Sequence, residues 1–389
     1  MVGRRKPQGT FYYNISLEDF VPQDHPLRSI RPHIDAEAIR SSCRHLYSRT
    51  GRPSIPLEQL ILAMVGGYVM GIRSERRLVM ELQCNLALRW FVGLQLDEDA
   101  WDASTFSQNR RRRFDKSGLM EKLFDQTVKK AQKAGLISRH VSADGTLVRA
   151  NASYKSFAPI EVAMSPEEYK EQLRSSDKED TDEERQPPQD PGNPTVDFRG
   201  QKRGNRTHRS KTDPDCRFVS KGSSGTGAYP GYTVNALMEN RHRILLGIEP
   251  AIFRSTTAEE AGCLQLLERS WRRLRIAAVS LGADKGYFHR QFIEDVLHRD
   301  IEPHIAAHDR GASRAHSRVR MRRRGAAYRS SQRCRKKLQE LFGEAKDFHG
   351  MRRFRRRGLD RIREETWLIW WVLNLKRLAK HLPMQPPCA

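Results

Sequence analysis

The sequence predicts an α/β domain with a mixed sheet, preceded by an all-helical domain, and three observations lead there. Two short runs, Val141–Val148 and Ile276–Asp284, read as buried strands, and each carries one Asp. Around them the pattern runs strands, helix, strand, helix, strand, helix, the order of a mixed α/β layer. Upstream, from about residue 57 to 134, the apolar positions recur at helical spacing. The expected boundaries are 1–136 for the helical domain and 137–389 for the α/β domain.

Residues 1 to about 50 mix Pro, Tyr and charge and offer few periodic apolar positions. Gly51-Arg52-Pro53-Ser54-Ile55-Pro56 then introduces a helix, with Ser54 as its cap and Leu57, Leu60, Ile61, Met64 and Val65 as its apolar stripe. A second helix from about Ser74 carries Leu78 and Leu82, and Leu86–Leu94 closes the cluster around aromatic residues. Ser104 caps a third segment that passes through four arginines, Arg110 to Arg113, and runs into Leu119–Ala134. Four successive arginines cannot all be buried. They are either a solvated face or a contact for phosphates, and on the second reading Arg110 and Arg111 are nucleic-acid ligands.

In the α/β part, a bare Asp144 inside an apolar run is unfavourable by several kcal/mol, of the order of the transfer penalty for a buried charge, unless it is paired or meets a cation. Asp144-Gly145 taken alone is also a hairpin turn signal. The second run, Ile276 to Tyr287, favours the chemical reading: it ends in Asp284 and a Gly-containing turn followed by a helix, which puts this Asp at a strand's carboxyl end. Side by side, the two strands would join Asp144 and Asp284, and paired carboxylates repel unless cations sit between them.

Between these strands lies a charged, Pro-rich insertion at about 164–212, with the markings of a disordered or surface segment. Strand-like runs resume at Cys216–Val219, Tyr232–Met238 and Ile244–Ile248, and Thr256-Thr257-Ala258-Glu259-Glu260 opens a helix with a capping-box-like start. After Asp284 come a helix over Arg290–His298 and a short strand near Ile301–Ala307. Residues 309–330 read as an arginine-dominated loop containing Arg322 and Arg323. A helix over Gln332–Phe348 follows, then a basic run with Arg352 and Arg353, then a helix at about 360–382 whose Trp367, Trp370 and Trp371 are expected to pack on the sheet.

Composition narrows the function. The 70 Lys and Arg against 47 Asp and Glu leave a net charge of +23 on 389 residues, an excess that points to a polyanion, most often nucleic acid. No apolar run approaches the roughly 20 residues of a membrane span, and the first residues lack a secretory apolar region, so the expected location is the cytoplasm. The 6 cysteines are scattered without a close pair, so neither a structural zinc site nor a redox motif is expected.

The chain resembles the bacterial insertion-sequence transposases of the DDE type, in the insertion-sequence-five superfamily, over nearly its whole length. In the helical domain the resemblance is carried by Arg52-Pro53-Ser54-Ile55-Pro56-Leu57-Glu58-Gln59-Leu60, Ile72-Arg73-Ser74-Glu75-Arg76, Arg89-Trp90-Phe91-Val92-Gly93-Leu94 and Ser104-Thr105-Phe106-Ser107. In the α/β part it is carried by Asp144-Gly145-Thr146-Leu147-Val148, Lys155-Ser156-Phe157, Gly282-Ala283-Asp284-Lys285-Gly286-Tyr287 and Phe342-Gly343-Glu344-Ala345-Lys346. It implies an RNase H-like catalytic fold and N-terminal helices that bind terminal inverted repeats. It also implies two Asp and one Glu holding Mg²⁺ or Mn²⁺, with double-stranded DNA as partner. A homodimer or larger synaptic complex is expected because two ends must meet one target, in a bacterial cytoplasm, with the protein nucleoid-associated when bound.

In that family the third acid follows Arg by four positions and precedes Lys by seven. Arg335 and Lys346 fit the ends of that pattern, which puts Gln339 where the acid is expected. A helical wheel separates the neighbours: Leu338, Leu341, Phe342 and Ala345 share the core stripe, Arg335, Gln339 and Lys346 share one edge, and Glu340 points about 100° away. Two arrangements stay open, one in which Glu340 completes a catalytic and metal-binding set with Asp144 and Asp284, and one in which Gln339 leaves a weakened enzyme that still binds DNA. Arg335 and Lys346 would position phosphates, with Arg322, Arg323, Arg352 and Arg353 holding the flanks. A nuclease for RNA or junctions is the remaining rival.

Overall fold

The structure is a computed structural model that describes residues 16–47, 50, 54–115, 117–160, 204–220, 227–253, 258–309 and 313–383. The chain divides into two compact units, one comprising Met1–Leu136 with Trp367–Ala389, the other Ile137–Thr366.

Every regular element described in the first unit is helical. Three short helices, α1 (Leu17–Phe20), α2 (Pro26–Ile30) and α3 (Ala36–Cys43), precede α4 (Leu57–Val69), α5 (Glu75–Cys84) and α6 (Leu86–Val92). α4 is apolar nearly all round and is buried from Leu60 to Gly67, as a helix at the centre of a bundle must be. It starts after Pro56 without a side-chain cap, so Ser54 does not cap it. Ser74 does cap α5, and Asn85 caps α6. Arg89 of α6 is 2 % exposed and spends its guanidinium on backbone carbonyls, donating to Leu82 O at 2.9 Å, to Glu98 O at 2.5 Å and to Gln95 O. It ties the loop after α6 to the end of α5.

α7 (Ser104–Asn109) begins one residue earlier than a Ser104 cap would allow; Asp102 accepts from Ser104 N at 2.7 Å instead. A π turn over Arg110–Phe114 continues it, and Gly118, at φ +64°, breaks the path before α8 (Leu119–Lys133). The last described helix, α13 (Leu359–His381), belongs to this unit from Trp367 onward. Its tryptophans correct the expectation that they cover the sheet. Trp367 lies edge-on to Phe124 of α8 at 4.8 Å, and Trp371 Nε1 donates to Thr127 Oγ1 at 2.8 Å.

The second unit is built on a six-stranded sheet. Its strands are β1 (His140–Arg149), β4 (Arg217–Val219), β5 (Tyr229–Glu239), β6 (Leu245–Ala251), β7 (Ser280–Ala283) and β8 (Glu302–Ile305), while β2 (Phe157–Pro159) and β3 (His208–Ser210) form a separate small ribbon. β5 pairs antiparallel with β1, β4 and β6, whereas β7 runs parallel to both β1 and β8. The sheet is therefore mixed, with β1 at the junction between its antiparallel and parallel halves. The β5–β6 turn is pinned by Glu239, a buried carboxylate that accepts from the backbone N–H groups of Ser138, Arg241, His242 and Ile244.

Helices α9 (Ala258–Arg269), α10 (Arg290–Leu297), α11 (Arg314–Arg322) and α12 (Ala326–Asp347) complete the unit. Residues 314–322, expected as loop, are helical because Ser313 caps His316 N at 3.3 Å and Ala315 and Val319, four apart, are buried. α12 buries Leu338, Leu341, Phe342 and Ala345. It comes close to β7 because Gly282 has no side chain: a Cβ there would stand 2.8 Å from Ser331 Oγ and 2.9 Å from Ser142 Oγ. Most of the charged insertion expected at 164–212, and the Thr256-Thr257 cap, lie outside the described residues.

Candidate active site

Register brings the two aspartates together. β7 pairs with β1 through His140↔Ser280, Val141↔Leu281 and Ser142↔Gly282; two residues beyond the last pair lie Asp144 and Asp284. In parallel strands about 4.8 Å apart, equivalent positions project on the same face. Asp144 sits inside β1 and is 7 % exposed, while Asp284 follows the last residue of β7 and is half-buried.

Each carboxylate is held by backbone. Asp144 Oδ1 accepts from Gly145 N at 2.9 Å, and the Asp284 side chain accepts from Gly286 N at 2.8 Å, capping the single turn Lys285–Tyr287. Burial pushes the Asp144 pKa up, and the negative charge of Asp284 pushes it further the same way. The Gly145 N–H, the Arg335 guanidinium and the Gln339 amide offset part of that rise.

α12 supplies the third wall. Arg335 Nη1 stands 3.8 Å from Asp144 Oδ2, Gln339 Nε2 reaches the same oxygen at 3.4 Å, and Lys346 Nζ donates to Thr146 Oγ1 at 2.5 Å. The residues at 335, 339 and 346 therefore line up along β1. Glu340 is not brought to the aspartates. Its side chain is 54 % exposed and pairs with Arg243 at 3.1 Å and Lys337 at 2.7 Å, since a residue next in sequence on a helix points about 100° away. Among the described residues no three His, Cys, Asp or Glu side chains converge closely enough to hold a metal ion.

The other basic candidates differ in what already engages them. Arg110 pairs with Glu75 and reaches Met64 Sδ, a half-buried structural role, and Arg113 lies over the Tyr47 ring at 4.1 Å. Arg111 is exposed. Arg322 pairs with Glu302 at 3.2 Å, Arg323 faces Asp309 at 3.8 Å, Arg352 pairs with Asp347 at 2.5 Å, and Arg353 Nε donates to Ala150 O at 3.2 Å; the last two are exposed.

Two residues escaped the sequence reading. Gln332 donates to Ala283 O at 3.1 Å and to His304 O, and accepts from Arg335 Nε at 3.3 Å, fixing α12 against the ends of β7 and β8. Tyr287 is 1 % exposed, and its hydroxyl is buried without a hydrogen-bond partner. A phenol in the turn after a catalytic-type Asp is a signal that the sequence offered and that only packing makes meaningful.

Residues 15–112 match the family described as Transposase domain (DUF772), and residues 299–379 match the family described as Transposase DDE domain. These two matches support a transposase of the DDE class. More narrowly, its domain content is that of an insertion-sequence DDE transposase, a DNA transposase. No curated protein matches it in sequence. Two solved structures are similar at 10 % identity, each with 78 % of this chain and 83 % of the other covered: "Mos1 transposase paired-end complex with left transposon end", at a TM-score of 0.20, and "Crystal structure of the Mos1 mariner paired end complex with Mn", at 0.19. Likeness at that level is too slight to bear on fold or function.

Proposed function

We propose that the second unit is an RNase H-like catalytic domain that cuts and rejoins phosphodiesters at the ends of an insertion sequence of the insertion-sequence-five superfamily, using Asp144 and Asp284 to hold Mg²⁺ or Mn²⁺. The observation that carries this reading is the β1–β7 register, which sets a buried Asp144 and Asp284 at equivalent positions two residues beyond its last pair. The donor set suits a hard divalent cation: both groups are carboxylates, both are oriented by backbone N–H groups, and burial and the charge of Asp284 disfavour the charged form of Asp144 until a cation offsets them. Such an ion supplies Lewis acidity and charge stabilisation for in-line displacement at phosphorus.

The chain's own side chains do the positioning. Arg335, held by Gln332, presents a guanidinium beside Asp144, and Lys346 is anchored at Thr146 on the same strand. Together they set two positive charges along β1 where a phosphate backbone would lie. Gln339 steadies Asp144 Oδ2 through its amide and adds no charge. The helices of the first unit bind the terminal inverted repeats, and a dimer or larger complex joins two ends to one target.

The test is cleavage of a labelled duplex carrying the ends of the chain's own element, in Mg²⁺ or Mn²⁺. Asp144→Asn and Asp284→Asn should each lower the rate by at least ~100-fold, the scale of losing one electrostatic contributor to a transition state, and chelation should stop the reaction. Unchanged cleavage by either variant would overturn the proposal.

A further inference from the structure

We propose that α4 and α5 form a helix-turn-helix whose second helix reads the terminal repeat in the major groove, with Arg76 and Met80 as its specificity-determining residues. This deepens, and rests on, the reading of the first unit as the part that binds the repeats.

The turn follows from backbone preferences. α4 ends at Val69, and Gly71, at φ +71°, reverses the chain so that Ile72 N donates back to Gly67 O at 2.7 Å. Between the cap residues Met70 and Ser74 only Gly71, Ile72 and Arg73 remain, the short glycine-containing turn of a helix-turn-helix. Two neighbouring glycines of α4 seat the helices that follow. A Cβ on Gly67 would stand 3.1 Å from Leu78 Cδ1 of α5, and one on Gly66 would stand 3.0 Å from Leu88 Cδ2 of α6. α5 therefore lies against α4 through Leu78, and Leu82, one turn on, is buried with it.

The opposite face of α5 carries the recognition chemistry. Met80 lies about 200° round the helix from Leu78 and is 69 % exposed, and Arg76 and Arg73, at successive turns before it, are exposed on the same stripe. The beginning of the second helix is the part that meets base edges in this motif. The stripe stops at Met80, because Gln83 spends both ends of its amide, donating to Asp99 Oδ1 at 3.1 Å and accepting from Ala100 N at 2.9 Å. Arg77, to one side, pairs with Glu81 at 3.6 Å. Along the stripe itself stand arginines and one apolar side chain, which complement a DNA groove. Arg76 offers a planar fork to guanine O6 and N7, and Met80 offers an apolar contact to a thymine methyl group.

A second observation ties this face to a phosphate clamp. Glu75, the first residue of α5, pairs with Arg110, whose Nη2 also reaches Met64 Sδ of α4 at 3.2 Å. The Arg76 charge acts on Asp102, just before α7, adding to the bonds from Ser104 that hold that carboxyl below its ordinary pKa. The π turn is thus fastened to the start of α5, and the exposed Arg111 and Arg112 follow the fastening residue. The run of four arginines divides accordingly: Arg110 is a structural pin, whereas Arg111 and Arg112 meet phosphates while α5 reads bases.

Fluorescence anisotropy of the full chain at one salt concentration, with the end duplex of its own element and with a scrambled duplex of the same composition, tests this. The unaltered chain should prefer the end duplex. Arg76→Lys, which keeps the charge and loses the fork, and Met80→Ala should each lower that preference by ~5-fold or more while binding the scrambled duplex within ~3-fold of the unaltered chain. A double variant, Arg111→Ala with Arg112→Ala, should weaken both duplexes alike and keep the preference within ~3-fold. Circular dichroism of each variant reports folding. A preference that survives Arg76→Lys or Met80→Ala, or one that only the double variant loses, overturns the inference, while the preference of the unaltered chain upholds the repeat-binding reading. Equal affinity of the unaltered chain for the two duplexes removes that reading and this inference with it.

Discussion

At the scale of single residues, the chemistry turns on charges held where they are unfavourable. Asp144 is a carboxylate whose pKa is raised by burial first and by Asp284 second. A carboxyl with a folded pKa above its unfolded one favours the folded state when protonated. Stability is therefore lost as pH rises from the unfolded value towards the raised folded value, and it stays lost above. In chelator, Asp144→Asn should melt at a higher temperature than the unaltered chain at pH 7, and the gain should vanish below the unfolded carboxyl pKa; melting curves at both pH values would show it. A variant that melts lower at pH 7 would mean that Arg335 and Gln339 outweigh desolvation. The identity of residue 339 was readable in the sequence, because Arg335, Gln339 and Lys346 lie on one edge of α12. The close approach of Glu259 to the Gly145 backbone was not, because nothing in the sequence says that α9 rests on β1 there.

At the scale of elements, periodicity told most where one face is buried. The core stripe of α12 and the apolar α4 follow directly from spacing. Residues 314–322 were misread as loop because arginines hide a two-residue stripe, Ala315 and Val319, that only the Ser313 cap makes helical. Caps placed by residue type went astray at Ser54 and Ser104, where Pro56 and Asp102 take the position or the bond. Arg89 was quoted only as part of a motif, yet its buried guanidinium donates to carbonyls at the end of α5 and in the loop after α6. Arg89→Leu should destabilise the chain by about 2–4 kcal/mol, the range for carbonyls left buried without donors, read as a fall in the denaturation midpoint. A change under ~0.5 kcal/mol would mean that water replaces the guanidinium.

At the scale of the whole molecule, the net charge of +23 points to a polyanion partner, but it could not say which arginines are available. Packing sorts them: Arg110 and Arg113 are taken up within the helical unit, whereas Arg111 and Arg112 are exposed. Replacing both exposed arginines by Ala should lower the slope of log affinity against log salt for duplex DNA by about 2 if each meets one phosphate. An unchanged slope would remove them from the interface. The tryptophan segment of α13 was assigned to the sheet on hydrophobicity alone, which does not distinguish between two apolar surfaces; the Phe124 and Thr127 contacts of Trp367 and Trp371 decide for the helical unit. The central claim is that Asp144 and Asp284, without Glu340, form the catalytic centre of this transposase. Single-turnover cleavage of the end duplex in Mg²⁺ by the unaltered chain, Asp284→Asn and Glu340→Ala tests it most directly. The account predicts that the unaltered chain cuts, that Asp284→Asn loses at least ~100-fold, and that Glu340→Ala stays within ~3-fold because Glu340 faces Arg243 and Lys337. Cleavage that survives Asp284→Asn, or that Glu340→Ala abolishes, would contradict it.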